Sequence, residues 1–532
     1  MPDRRVRMTG ALLVAAVLVV AGVSPALATT DVYAGGGTDD ASASAPVAAV
    51  SAPTAAPQRT GSTLRERIVA SRNSDPGSVT LTFAYRVPES VSGLRVGVPL
   101  LSVPGVTVEN TDGFERTAAT RLLWDTETER PTFSLRLAVG DELGSGVRGV
   151  ERGDWALVSQ PSTRVQVRTD EQPVRTTSFG VAADEPGYAS SHLAYLGPHD
   201  RRNVTVADER ATFVLGAANA DTARATDFLR TANEHFDFGV RHDRITVFVL
   251  PVSDEGTANV DAATVDTAFW VGESGLSLTD TGAVFAHEYV HTRLSTVGTG
   301  DATWLTEASA EYYGHLFALN DGVGDYESFR AELRANEYAP ERQSATLTDP
   351  ETWRGTTAHY DKGAHVLAAL DAEIRRRTDG ERTLRDVFAG RTESFTDYRA
   401  FREAVIEVAG DESLGPWLDR YVTTDALPPL PENPRYYVAD PDLDPDGDGT
   451  PSGREVDNGR HPFVAGAGSD DVVATETEST ATAGSETGTE NERETGTTRT
   501  VTEGSGSGFG AGASAVALTL VAALGALRRR RG

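Results

Sequence analysis

Few local patterns restrict a chain as much as two histidines four residues apart on a helix, and His287-Glu288-Tyr289-Val290-His291 is such a pattern. Residues four apart share a helix face, so both imidazoles can reach one metal ion. Glu288 lies between them, where it can take a proton from a water at that metal. The apolar run Ala283-Val284-Phe285-Ala286 leads straight into the motif. That makes the helix a buried one, and a buried His-Glu-His needs a partner. A second run, Trp304-Leu305-Thr306-Glu307-Ala308-Ser309-Ala310-Glu311-Tyr312-Tyr313, places Glu307 in an apolar, aromatic helix. Glu307 is the expected third ligand. Two histidines and a glutamate with one position open is the donor set of a catalytic zinc. The chain therefore reads as a zinc hydrolase, and first as a peptidase.

Glu311 follows Glu307 by one turn. Metal-bound histidines usually give their other N–H to a carboxylate, and Glu311 is the candidate for that, directed to His287. The simpler alternative is an ion pair with His315 at i,i+4.

Tyr360-Asp361-Lys362-Gly363 opens another apolar run, and Lys362 is the only lysine in the chain. Glu307 in W-L-x-E-x-x-A-E-Y-Y and the later Y-x-K-G resemble the gluzincin clan, which includes aminopeptidase N. The resemblance is closest to the glycyl aminopeptidase family, which continues with L-D-x-x-I-R and then Ser/Thr-Leu-x-D-V. Here these read Leu370-Asp371-Ala372-Glu373-Ile374-Arg375 and Thr383-Leu384-Arg385-Asp386-Val387. The likeness covers about residues 200–430. It implies a thermolysin-like catalytic domain, with a mixed-sheet lobe and a helical lobe. It also implies that the Tyr360 hydroxyl faces the developing oxyanion, where a donor acts on charge present only in the transition state. The clan's G-x-M-E-N strand and the family's W-N-x-K-R have no counterpart here, so substrate preference does not transfer.

The expected fold class is α+β: an N-terminal antiparallel β-sandwich over 63–198, then the gluzincin domain over 199–430. Short alternating runs such as Val79-Thr80-Leu81-Thr82-Phe83 carry the first expectation. A strand at 212–216, a helix over 223–236 and a buried strand at 245–250 carry the second.

Within 431–465, Asp444, Asp446, Asp448, Gly449 and Glu455 fall at positions 1, 3, 5, 6 and 12 of a calcium-binding loop. Thr450 offers its carbonyl and Ser452 a hydroxyl. The segment resembles a thrombospondin-type-3-like repeat, and calcium is expected there as a structural ion that stiffens the stalk.

The ends address the chain. Arg4, Arg5 and Arg7, an apolar run and Ala26-Leu27-Ala28 make residues 1–28 a secretory signal peptide. Residues 29–62 read as a disordered linker and 466–508 as a Thr/Glu/Ser/Gly-rich stalk. In 509–532 an apolar run precedes four arginines, which fits a membrane anchor with its C-terminus inside. This arrangement resembles the archaeal PGF sorting signal, with Ser507 where Pro is usual. Membrane attachment is thus expected through that helix or a lipid anchor, on the outer face of the cell.

The net charge is −29, and cysteine is absent. The acidity argues against nucleic-acid partners and, with lysine so rare, fits a halophilic archaeon, where molar salt shrinks the Debye length to about 3 Å. Lack of cysteine removes thiolate ligands and agrees with His and Glu at the metal. The expected function is a cell-surface zinc metallopeptidase, aminopeptidase-like, acting on peptides or proteins. A non-catalytic surface protein on the same scaffold, or a zinc hydrolase of another bond, remains an alternative.

Overall fold

The alternation of apolar and polar residues seen in the sequence becomes strands. In this computed structural model they are β1 (Thr63–Arg72), β2 (Ser78–Arg86), β3 (Val91–Gly97), β4 (Val106–Asp112), β5 (Phe114–Ala118), β6 (Arg121–Trp124), β7 (Thr132–Ala138), β8 (Gly149–Arg152), β9 (Trp155–Ser159), β10 (Arg164–Thr169), β11 (Val174–Val181), β12 (Gly187–Ala189) and β13 (Leu193–Leu196). The structure describes residues 62–466 apart from 75–76, 140–148, 171, 217–219, 252–261, 279–282, 295–296, 335–343, 390 and 392. The expected signal peptide, stalk and C-terminal apolar segment lie outside the described residues, as does nearly all of the 29–62 linker. Among the described residues no helix is long and apolar enough to cross a membrane. The chain divides into two compact units. The first runs through Thr306 and takes in Phe388–Phe401. The second comprises Glu307–Val387 and the described residues from Arg402 onward.

In the first unit, a sheet of order β11-β1-β2-β7-β4 and one of order β10-β3-β6-β5 enclose a core that includes Ile68, Leu81, Phe83, Val96, Leu122 and Phe133. Phe83 stacks on Phe133 with centroids 4.5 Å apart. One carboxylate, Glu66, is buried beside this core. It accepts hydrogen bonds from Tyr85 (2.5 Å), Thr163 (2.8 Å), Thr177 (2.9 Å) and the Arg175 guanidinium (2.5 Å), which offset the cost of burying its charge. This is the expected β-sandwich, except that β1 pairs with β11 in parallel, so the first sheet is mixed rather than wholly antiparallel.

A third sheet, β12-β13-β9-β8, was not foreseen. Ala156, Val158, Ala194 and Leu196 join the sandwich core, while Trp155, Leu157, Leu193 and Tyr195 enter a second core with Val214, Phe248, Leu250 and Trp270. Successive residues of a strand point to opposite faces, so a strand apolar at every position is buried on both. The sheet thereby ties the sandwich to the mixed sheet that follows.

That mixed sheet consists of β14 (Asp200–Val206), β15 (Glu209–Leu215), β16 (Arg244–Leu250), β17 (Ala262–Val265) and β18 (Ala268–Gly272), in the order β14-β15-β16-β18-β17. Strands β15, β16 and β18 are parallel; β14 and β17 are antiparallel edges. Two helices, α1 (Ala223–His235) and α2 (Val284–Arg293), accompany it. Phe285 of α2 meets Phe213 of β15, Phe269 of β18 and Phe228 of α1 at 6.4, 5.3 and 6.0 Å between centroids. Tyr289, one turn on, meets Phe228 at 6.0 Å.

The C-terminal end of α2 is pinned. Buried Arg293 donates to the Tyr289 hydroxyl at 2.7 Å and to the Phe238 carbonyl at 2.9 Å. The Val240 N–H donates to the Arg293 carbonyl at 2.9 Å, and the His242 ring nitrogen lies 2.8 Å from that of Thr292. These contacts satisfy carbonyls that a helix end leaves open. The approach needs Gly239, whose φ is +59° and where a Cβ would come within 2.4 Å of the Arg293 carbonyl oxygen. Replacing Gly239 by Ala is expected to cost about 1–3 kcal/mol, read as a lower denaturation midpoint by circular dichroism.

The remaining helices are α3 (Trp304–Asn320), α4 (Tyr326–Leu333), α5 (Ala358–Arg377), α6 (Leu384–Phe388), α7 (Tyr398–Ala409), α8 (Leu414–Val422) and the short α9 (Ser452–Asp457). Asp371 organises the second unit. It is buried and accepts from the Tyr312 hydroxyl of α3 (2.8 Å), the Leu384 N–H (2.7 Å) and Arg375 (3.3 Å). The L-D-x-x-I-R and T-L-x-D-V motifs thus meet at one carboxylate. Lys362 is fully buried and donates to the carbonyls of Ala345 (2.6 Å) and Thr424 (2.7 Å). Burial lowers its pKa to about 8, against the pull of Asp425. A depressed lysine contributes stability that is complete above its unfolded pKa of about 10.4 and lost as pH falls through the folded value. Stability relative to a Lys362→Met variant is therefore expected to rise from pH 8 to pH 9.5 in denaturation series; a pH-independent difference would contradict the assignment.

Candidate active site and metal centres

The anchoring of α2 dictates its other faces. With Phe285 and Tyr289 turned to the sheet and α1, the four-residue spacing puts His287 and His291 together on the far side. Their Nε2 atoms are 3.1 Å apart. His287, His291 and Glu307 each offer one ligand atom, and these atoms all lie within 4.8 Å of one another. His291 and Glu307 are buried, at 8% and 5% exposure. A tetrahedral ion with nitrogens at about 2.0–2.1 Å holds them about 3.3 Å apart, so the residues present fit zinc. The donor set, two imidazoles and one carboxylate, is of the same kind.

Glu288, also buried, is held by a residue that the sequence did not reveal. The Thr264 hydroxyl lies 2.6 Å from Glu288 Oε2 and 3.0 Å from its backbone carbonyl. Hydrogen bonds to a carboxylate are short and strong, and this one restricts rotation of the Glu288 side chain. Thr264 sits on edge strand β17, which pairs antiparallel with β18. Only the sheet register brings it to the helix, and no spacing in the sequence marks it.

Glu311 meets His315, with Oε1 3.1 Å from Nε2, which is the i,i+4 pairing. Tyr360 lies in the first turn of α5. Its ring is 4.5 Å from that of His359, which stacks on Trp353 at 4.4 Å. Burial lowers the His359 pKa to about 4, while the charge of Glu307 opposes the shift. His359 is therefore a neutral imidazole near both Glu307 and Tyr360. The sequence assigned nothing to it, nor to His365, whose two ring nitrogens lie 3.1 and 2.7 Å from the carbonyls of Leu333 and Pro428.

The loop from Asp444 to Glu455 is a second oxygen-rich centre. Ligand atoms of Asp444, Asp446 and Asp448 lie within 4.8 Å of one another. Asp444 accepts from the N–H groups of Gly447 (3.0 Å) and Gly449 (2.9 Å), and Asp448 from Thr450 (2.8 Å). Ser452 and Glu455 are buried at 0% and 1% exposure. Ser452 Oγ, Glu455 Oε2 and Asp446 Oδ2 are buried atoms with no hydrogen-bond partner. Burial, followed by the charges of Asp446, Asp448 and Asp444, pushes Glu455 up to about 7. Buried carboxylates without donors call for a cation, and an all-oxygen set fits calcium.

No protein-family model matches this chain, and no curated protein does. Among solved structures it is similar to an aminopeptidase N family protein from Idiomarina loihiensis, at 12% identity and TM-score 0.48, covering 69% of this chain and 77% of that one. An M1 zinc metallopeptidase variant from Deinococcus radiodurans, bound to a Tyr-Ser-Ala substrate, gives 16%, 0.43, 70% and 96% for the same measures. Legionella pneumophila aminopeptidase A in complex with aspartic acid gives 14%, 0.41, 68% and 49%. Likeness at this level carries no chemistry, so the functional reading stands on the side chains.

If Thr264 holds the Glu288 carboxylate, Thr264→Val should lower kcat about 10-fold or more while zinc per chain, measured by ICP-MS, stays at the wild-type value.

Proposed function

We propose that this protein is a zinc metallopeptidase of aminopeptidase type. The observation that carries the reading is the meeting of His287, His291 and Glu307 ligand atoms beside a Glu288 whose carboxylate is held by Thr264. A zinc ion bound there supplies Lewis acidity toward a peptide carbonyl and toward water. Glu288 takes the proton of the attacking water and passes it to the leaving amine. Thr264 limits the rotation of that carboxylate, which keeps the base aligned between the two proton positions. The Tyr360 hydroxyl donates to the carbonyl oxygen as negative charge develops on it. The substrate is a peptide or protein. The preference for a free amino terminus rests on the resemblance of the Y-x-K-G and E-x-x-x-x-Y-Y helices to that clan.

The same proposal includes calcium in the 444–455 loop, export, and attachment at the outer cell surface. The signal-peptide pattern at 1–28 and the apolar segment with its terminal arginines at 509–532 support the last two.

Glu288→Gln keeps the shape of the side chain and removes the base. It is expected to retain wild-type zinc content and lose about 100- to 10,000-fold in turnover of a mixed peptide library followed by mass spectrometry. Hydrolysis at the wild-type rate would overturn the role of Glu288, and the cut positions in the wild type separate amino-terminal from internal cleavage.

A further inference from the structure

Among the described residues, the 444–455 loop is held by helices of the second unit. The chain enters it along α3, α5 and α6. Asn320, the last residue of α3 and 1% exposed, donates from Nδ2 to the Tyr437 carbonyl at 2.8 Å and accepts the Ala439 N–H at Oδ1 at 2.8 Å. Arg375 of α5 donates to the Val438 carbonyl at 3.0 Å, and Arg385 of α6 to that of Ala439 at 2.8 Å. Three consecutive residues, 437–439, are thus gripped by three helices immediately before the aspartates.

The chain leaves the loop against α4. The rings of His461 and Phe463 lie 4.7 and 5.8 Å from that of Tyr326, the first residue of α4, and Tyr437 lies 6.1 Å from it. Between these grips the loop touches the turn joining α3 to α4. Gly322 there has φ +69°, and a Cβ on it would come within 2.5 Å of the Pro445 carbonyl oxygen. Pro445 lies between Asp444 and Asp446.

We infer that calcium in the 444–455 loop locks the α3–α4 corner, and so fixes the helix that carries Glu307. This rests on the calcium reading above. Without the ion, Asp444, Asp446, Asp448 and Glu455 repel one another inside the loop. Opening the loop relieves that repulsion, and opening pulls on Asn320, Gly322 and Tyr326. With the ion, the clustered aspartates share one cation instead of repelling one another, and the two ends of the loop are drawn together. Calcium thereby acts as a structural cofactor of the helical unit that presents a zinc ligand. This extends the expectation from sequence, which gave calcium a role in the stalk alone.

The test uses the full chain in molar KCl, stripped of metals, reloaded with one equivalent of zinc and titrated with CaCl2. Calorimetry reads calcium binding, and hydrogen exchange reads residues 316–329, with β2 as internal reference. At calcium one hundred times its Kd, openings that empty the loop are suppressed about 100-fold. Slowing of that order at 316–329, with β2 unchanged, is the expected result. A double variant, Asp446→Asn with Asp448→Asn, should show neither calcium heat nor slowing. Asn320→Ala touches no ligand and should bind calcium yet lose most of the slowing at 316–320. Absence of calcium heat in the wild type would overturn the calcium reading and the lock together. Calcium heat with slowing confined to 440–460 would overturn the lock while leaving the calcium site standing.

Discussion

The geometry of the His287, Glu288 and His291 cluster depends on how α2 is held against its sheet. Phe285 is wedged among Phe213, Phe228 and Phe269, and Tyr289 is fixed by Phe228 and by hydrogen bonds from Asn233 and Arg293. A helix has one rotational freedom about its axis, and these two residues remove it. His287, Glu288 and His291 then have no choice of direction. Rotating α2 by one residue, about 100°, would turn the imidazoles away from Glu307. The aromatic packing therefore does more for the chemistry than its contribution to stability implies, because positional error at a metal centre costs more than a partial loss of burial.

The second unit solves a similar problem with a carboxylate. Asp371 joins Tyr312, Arg375 and the start of α6, and Asn320 joins the end of α3 to residues 437 and 439. Burial raises the Tyr312 hydroxyl pKa well above its ordinary value, and the Asp371 charge adds to this. Tyr312 is accordingly a proton donor to Asp371 at any working pH. Hydrogen bonds of this kind are local and short-ranged. They keep their value at high ionic strength, where pairing between exposed charges is screened.

Much of this was legible beforehand, for identifiable reasons. The H-E-x-x-H motif and Glu307 announce themselves because a helix converts sequence spacing directly into direction. The sandwich strands show the period of two, and the acidic loop at 444–455 has fixed spacing in a single segment. What escaped is what depends on register between distant segments. Strand β13 and the first four residues of β9 are apolar without alternation, which identifies burial without saying against what; in fact they separate two cores. Thr264 reaches Glu288 from 24 residues upstream through strand pairing. Asp371 could be matched to a family motif together with Arg375 on the same helix, but its other partners, Tyr312 and the Leu384 N–H, lie on different helices. His359 stood next to a motif residue, and only its burial on Trp353 distinguishes it.

The two proposed metal centres are kept distinct by donor chemistry. His287 and His291 give nitrogen to a borderline ion, whereas calcium prefers oxygen. The 444–455 loop supplies carboxylates and a hydroxyl but no imidazole, which leaves zinc little advantage there. Cysteine, the ligand that would confuse the assignment by binding soft metals at either place, is absent. Selectivity between the two ions then resides in the donor atoms of each site. On the proposed assignment, zinc sits where a Lewis acid is needed and calcium where a cross-link is needed, with α3 carrying Glu307 in its first turn and ending at Asn320, which grips the entry to the 444–455 loop.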